Sequence, residues 1–284
     1  MTIISISKTD QERFRRAAVV AAQVLLGVAL GVAAWFGLQA GLRWQAERIL
    51  ASASAPVVEA SPQETPAPVY DPAAVPEGLA ELYEKNPDAR QFVIDYPAKH
   101  DEHPEIDLSA LADSEGVPRL YQWDERWGYE SYNENFFALA GCGPTCLSMV
   151  DIYLTGNTEH DPLWMARFAE QHGYNEVGNG SKWTLFSEGG PELGLQVTGI
   201  SVSEAYLTET LSAGTPIICI MGPGDFTEHG HYLVLTDIDD EGNITLNDPN
   251  SRTRSERTWT YDELAPQIRG GWAVTKDNAK SVVL

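Results

Sequence analysis

Cys142 stands in the run Ala140-Gly141-Cys142-Gly143-Pro144-Thr145-Cys146, directly ahead of the apolar stretch Leu147 to Leu154. That order places a thiol in the first turn of a helix. Far downstream, Gly230-His231-Tyr232-Leu233-Val234-Leu235 puts a histidine at the start of a strand, and Asn247-Asp248-Pro249 puts a carboxylate at the end of another. Thiol, imidazole and carboxylate in this chain order are the parts of thiolate nucleophilic catalysis. A free thiol, with a pKa of about 8.5, is mostly protonated at neutral pH. A helix N-terminus and a neighbouring imidazole both favour the thiolate. A carboxylate on the other ring nitrogen fixes the tautomer and stabilises the imidazolium. Gly141 and Gly143 are read as letting a substrate backbone approach the sulfur, and Pro144 as filling the first helical position, where no N–H is needed.

Each residue also has a plainer reading. A cysteine ahead of a helix is commonly a small buried apolar residue. A histidine opening an apolar strand can be a satisfied core group, and Asp in Asn-Asp-Pro is a turn former. Their order in the chain, not any one of them, carries the chemistry.

Further segments add a family resemblance. Leu120-Tyr121-Gln122-Trp123-Asp124-Glu125-Arg126-Trp127-Gly128-Tyr129, then Gly141 to Val150, then Pro216 to Phe226, Gly230-His231-Tyr232 and Asn247-Asp248-Pro249-Asn250-Ser251 resemble the C39-like, papain-like cysteine peptidase domains of bacteria. The resemblance runs from roughly Val117 to Val274. It implies that Cys142 is the nucleophile, His231 the base and Asp248 the orienting acid, with no cofactor and no metal. Bacteriocin-processing relatives carry a Gln a few residues before the Cys as the oxyanion-hole residue. Here Asn133-Glu134-Asn135-Phe136-Phe137 contains none, so Gln122 is the candidate, with Asn135 behind it.

Periodicity supplies the elements that must hold these groups. Helices are predicted over Gly143 to Leu154, Pro162 to His172, Trp183 to Leu193, Ser203 to Ser212 and Tyr261 to Ile268. Strands are predicted at Leu195 to Ile200, Ile217 to Met221, Tyr232 to Thr236, Ile244 to Asn247 and Gly271 to Val274. The fold class is α+β. In the papain-like arrangement that the resemblance implies, a helical half bearing the Cys packs on an antiparallel sheet bearing His and Asp. Cys146 and Cys219 read as core. Asp237 to Asn243 matches the first half of a calcium loop, but between strands it reads as a hairpin turn. His229 and His231 alone make an incomplete metal site.

Ahead of this domain, residues 17–42 carry no charge, which is long enough to cross a bilayer. Lys8, Arg13, Arg15 and Arg16 precede the run, so residues 1–16 are expected in the cytoplasm and the rest outside. A cleaved signal peptide with a site at Ala53-Ser54-Ala55 is the alternative, but the apolar run exceeds a signal core. Residues 43–76 are rich in Ala, Ser and Pro and read as an extended spacer. Residues 77–116 read as two short helices broken at Asn86-Pro87, where Asn caps and Pro begins the second, followed by an acidic, solvated connector that includes His100 and His103. The helical part is either a structural extension or a packed pro-segment. The peptidase-like domain occupies 117–284.

Among 284 residues, 41 are acidic and 19 basic, for a formal charge of -22, which argues against nucleic acid as a partner. The expected partner is a peptide or protein, including cell-surface or cell-wall material. The same triad serves amidases, acyltransferases and transglutaminases, and a noncatalytic surface-binding module on the same fold is the reading from another class.

Overall fold

The computed structural model describes residues 69–276, together with Gly27, Trp35, Gly37, Gln39 and Arg43. The expected tail, the anchor at 17–42 and the spacer up to residue 68 therefore lie outside, or almost wholly outside, the described residues. Among those described, no helix is long and apolar enough to cross a membrane.

The chain is built on a five-stranded antiparallel sheet. Its strands are β5 (Leu195–Gly199), β6 (Ile217–Met221), β7 (His231–Ile238), β8 (Ile244–Asn247) and β9 (Ile268–Lys276), after two small hairpins, β1 (Ser131–Tyr132) with β2 (Asn135–Phe136) and β3 (Asn175–Glu176) with β4 (Gly180–Ser181). The order across the large sheet is β5-β9-β6-β7-β8. β6 is buried along its whole length because both of its faces are covered. Ile218 and Ile220 pack with Leu147, Val150, Tyr232, Val234 and Trp272 on one side. Ile217, Cys219 and Met221 pack with Leu207, Leu233, Leu246 and Trp259 on the other. A strand sandwiched in this way reads as an unbroken apolar run, not as an alternation.

The helical side comprises α1 (Glu77–Lys85), α2 (Arg90–Lys99), α3 (Phe137–Ala140), α4 (Cys142–Thr155) and α5 (Pro162–Gln171). α6 (Gly190–Glu192), α7 (Glu204–Ser212), α8 (Arg252–Glu256) and α9 (Tyr261–Leu264) follow. α4 is buried from Gly143 to Ile152, as expected for a helix that is apolar nearly all round. Gly156, at φ 74°, ends it in the left-handed conformation that glycine accepts without strain. Asp161 caps α5 and accepts from the N–H groups of Leu163 and Trp164.

Several boundaries differ from those read in the sequence. α4 begins at Cys142 itself, so Pro144 is its third residue, still within the first turn where a missing N–H costs nothing. The segment predicted as a helix from Trp183 is a π-helical turn, Leu185–Gly189, running into α6. α9 is one turn long, closed by a capping box between Thr260 and Glu263, and Ile268 already belongs to β9. The two hairpins and α8 had no strong pattern of their own. The β1–β2 turn places Asn133 and Glu134 at φ 58° and 63°, the pair of left-handed residues that a tight hairpin turn needs.

The segment before the sheet domain is packed, not free. Asn86 separates α1 from the turn Pro87–Ala89 that leads into α2, and its side chain accepts from Asp88 N–H, as its capping role predicts. Leu79, Phe92 and Val93 are buried with Trp123, Tyr129 and Ala138 of the main body. Tyr129 Oη donates to Phe92 O at 2.7 Å, and its ring stacks on Phe92 at 4.2 Å. Truncating the fully buried Leu79 to Ala would cost about 2–5 kcal/mol. The end of the expected spacer joins this packing too: Tyr70 stacks on Tyr83 at 3.6 Å, and Asp71 caps a short turn at Pro72–Ala74. The acidic connector is anchored by Leu108, which is buried in the main core.

Candidate active site

Cys142 is the first residue of α4 and is half-buried. Gly141, ahead of it, offers no side-chain cap, so the first-turn N–H groups of a long buried helix open beside the sulfur. The two flanking glycines have a reason besides the one expected. A side chain on Gly143 would strike Ser181, and one on Gly141 would strike the Phe137 ring. The protein's own neighbours therefore already require both. The β3–β4 hairpin presses Ser181 against α4, fixed by Tyr132 Oη to Ser181 Oγ at 2.7 Å and by Tyr232 Oη donating to Ser181 O at 2.9 Å.

His231 opens β7, and Asp248 follows β8, which pairs with β7. Their side chains meet: His231 Nε2 lies 2.7 Å from Asp248 Oδ1. That commits Nε2 to the carboxylate and leaves Nδ1 for the side of the Cys142 thiol, which is among the groups that raise the ring's pKa. Burial alone would lower the His231 pKa. The charge and hydrogen bond of Asp248, followed by Cys142, overcome it and push the imidazole up to about 10. Burial would likewise raise the Asp248 carboxyl, but His231, then Arg254 and the Asn250 N–H, hold it below the ordinary carboxylate range. An ionised acid and a protonated ring form a mutually supporting pair.

Arg254 was not singled out in the sequence. It lies on α8, one turn after Ser251, whose hydroxyl caps that helix. Arg254 Nε donates to Asp248 Oδ2 at 2.6 Å, and its Nη1 donates to Asp225 O at 2.9 Å. Ser255 Oγ accepts from Asp248 N–H at 2.9 Å. A Ser followed by two Arg after Asn-Asp-Pro was the available signal, read only as far as Ser251.

Gln122 is buried and bridges the two halves of the site. Its backbone N–H donates to Pro249 O at 2.8 Å, next to Asp248, and its side-chain Nε2 donates to Ala138 O at 2.6 Å, in the turn that leads to Cys142. Ala138 O fixes the amide with its nitrogen forward, since a flipped amide would set two oxygens together. Nε2 keeps a second hydrogen, while Gln122 Oε1 has no partner among the described residues. Asn135 does not join the site. It is exposed on β2, and its side chain accepts from its neighbour Phe136 N–H.

Cys146 and Cys219 are fully buried, and burial raises both thiols, Cys146 well above its ordinary value and Cys219 to about 12. All three cysteines are free. His229 sits in the exposed loop before β7, with its N–H donating to Thr227 Oγ1. Asp239 spends its carboxylate on its own hairpin turn, accepting from Glu241 and Asn243.

Comparison with known proteins adds to this geometry. The sequence profile described as the Peptidase_C39 like family matches residues 114–280. The chain belongs to the C39-like peptidase family. Mixed helix and antiparallel sheet are consistent with that membership. Among solved structures, the peptidase domain of Streptococcus ComA, a bi-functional ABC transporter involved in a quorum-sensing pathway, matches at 14% identity, covering 48% of this chain and 92% of that one, with a TM-score of 0.37. No curated protein matches. The matched stretch in this C39-like chain begins after α1 and α2, so the helical extension lies outside it.

Proposed function

We propose that this C39-like chain is a cysteine hydrolase, a peptidase in its principal activity, working through Cys142, His231 and Asp248. The observation that carries this reading is the buried His231 ring held at 2.7 Å by the Asp248 carboxylate, with the Cys142 thiol among the groups that raise its pKa. In the proposed cycle the Cys142 thiolate attacks a peptide carbonyl carbon. The oxyanion that forms accepts from the Cys142 backbone N–H and the second Nε2 hydrogen of Gln122. The C–N bond breaks as His231 gives its Nδ1 proton to the departing nitrogen, leaving a thioester on Cys142. Water then attacks the thioester and gives a proton to His231. The carboxylic acid product leaves, giving its proton to solvent or to the released amine, and the thiolate–imidazolium pair is restored.

A groove of about 750 Å³ supports a polymeric substrate. It is lined by Leu139, His229, Asn250 and Arg254, near the triad in sequence, and by none of Cys142, His231 and Asp248 themselves. A second cleft, of about 670 Å³, shares Asp88 with it and is lined by Gln91, Lys99, Arg126 and Arg252. Substrate is assigned to the first.

The proposal extends to location. Residues 17–42 are taken as a membrane anchor with the catalytic domain outside the cytoplasm, where it would meet cell-surface or cell-wall peptides. Protease added to intact cells should then release a soluble fragment by cutting within residues 43–68. Protection until lysis would reverse the orientation.

The catalytic reading is tested by incubating the full-length chain with a fluorogenic peptide library, with Cys142→Ala as the control. Turnover that disappears in the variant supports a peptidase. Turnover confined to simple amides or acyl esters would move the assignment to an amidase or acyltransferase. Binding of peptides without turnover, by a Cys142 that resists iodoacetamide, would favour a noncatalytic module.

A further inference from the structure

The carboxylate of Asp248 sits on a loop that is held from outside the family-matched stretch. Asn86, buried between α1 and the next turn, donates through Nδ2 to Asn250 O at 2.6 Å and to Asn250 Oδ1 at 3.0 Å. Two residues on, Asp88 receives three donors from the same loop. Ser251 Oγ and Thr253 N–H both reach Oδ2 at 2.9 Å, and Thr253 Oγ1 reaches Oδ1 at 3.0 Å. These contacts join positions separated by 163 to 165 residues of chain.

The residues they hold are the ones that place Asp248. Asn250 N–H donates to Asp248 Oδ1 at 2.8 Å, the same oxygen that meets His231. Ser251 Oγ, while donating to Asp88, accepts from Arg254 N–H and so starts the helix from which Arg254 reaches Asp248 Oδ2. A continuous hydrogen-bonded chain thus leads from the extension, through Asn250 and Ser251, to both oxygens of the acid.

We propose that Asn86 and Asp88 are positioning residues of the catalytic site: the helical extension clamps the 248–254 loop and thereby sets Asp248 against His231. The proposal rests on the triad reading above. It makes the extension a working part of the site, the opposite of an inhibitory pro-segment, sharing the loop with Trp123, whose Nε1 donates to the same Asn250 O at 3.0 Å.

The alternative is that these bonds only glue the extension to the body. Tyr129→Phe separates the two, because it removes the bond to Phe92 O and loosens the extension without touching the loop. The experiment measures iodoacetamide alkylation of Cys142 against pH, mapped by mass spectrometry, together with melting temperature. It uses the full-length wild type, Asn86→Ala, Asp88→Ala, Thr253→Val and Tyr129→Phe. This readout does not depend on knowing the substrate.

A loosened Asp248 stabilises the imidazolium less, so the reactive pair should form at higher pH. If its midpoint moves by one unit, alkylation at pH 6 falls about 10-fold in Asn86→Ala and Asp88→Ala. Thr253→Val should fall less, and Tyr129→Phe should keep the wild-type profile even where it melts earlier. Wild-type profiles in both clamp variants, with only the melting temperature lowered, would overturn the proposal. Faster alkylation would also overturn it, and would make the extension inhibitory. A wild-type Cys142 no more reactive than an unfolded thiol would remove the triad reading, and the clamp's catalytic role with it.

Discussion

Arg254 Nε and His231 Nε2 occupy opposite oxygens of Asp248, at 2.6 and 2.7 Å. The carboxylate side chain is fully buried between two cations, and each holds it ionised for the other. Arg254→Met should therefore raise the Asp248 pKa from its depressed value and shift the acid limb of kcat/KM to higher pH. Loss of one charge-assisted hydrogen bond, about 1.5–3 kcal/mol, predicts a drop of about 10-fold or more at pH 5 and a smaller one at pH 7. A pH profile identical to the wild type would make Arg254 a surface residue only.

The same pair sets a stability window. His231 is raised from 6.5 to about 10, so its contribution is complete below pH 6.5 and is lost as pH climbs toward 10. Asp248 is lowered from 3.8, so its contribution is present above that value and is lost as pH falls through the depressed one. The melting temperature should peak between about pH 4 and 6.5 and decline on the alkaline side, by about 2–4 °C for each kcal/mol lost at this size. In His231→Gln the alkaline decline should flatten. Calorimetry across about pH 3 to 10 checks both slopes.

Gln122→Ala should lower kcat by about 10²- to 10³-fold, the loss seen when one oxyanion donor is removed, with KM little changed. Because Gln122 also ties Ala138 to the acid loop, circular dichroism must show the variant folded before the rate is read. Unchanged kcat in a folded Gln122→Ala would leave the Cys142 N–H as the remaining named donor.

Within the triad, Cys142→Ala should abolish turnover without unfolding the domain, since the thiol is half-buried and not a core group. His231→Ala should cost at least about 10²-fold in kcat, the lower end for a general acid–base group. Asp248→Asn retains a hydrogen bond to the ring but loses the charge, and about 10-fold is expected. A turn former alone would tolerate Asn. Wild-type kcat and melting temperature in Asp248→Asn would thus reduce the machinery to a Cys142–His231 dyad.

How much of this could be read from the chain follows from where the information sits. β6, α4 and α5 announce themselves because an unbroken apolar strand and strongly apolar helices leave few other readings. Cys142, His231, Asp248 and Gln122 were legible as types in an order. The contact of His231 with Asp248 was not, because it depends on strand pairing between β7 and β8. β1 to β4 are two-residue strands, too short to show a period of two. Arg254 and Asp88 were passed over, and Asn86 was read only as a helix cap, because a polar residue in a loop looks alike whether it faces water or another loop. Only the partner's position, up to 165 residues away, separates the two.

β9, the last of the five strands to be made, lies between β5 and β6. Until it arrives, β5 has no partner strand and β6 is bonded on one edge only. Non-local closure of this kind comes late in folding. During translation Cys142, His231 and Asp248 therefore all emerge before the strand that completes the sheet. If the proposed roles hold, a nascent chain carries all three groups while the framework that aligns them is still incomplete, and the thiol would gain its reactivity only once β9 has been made.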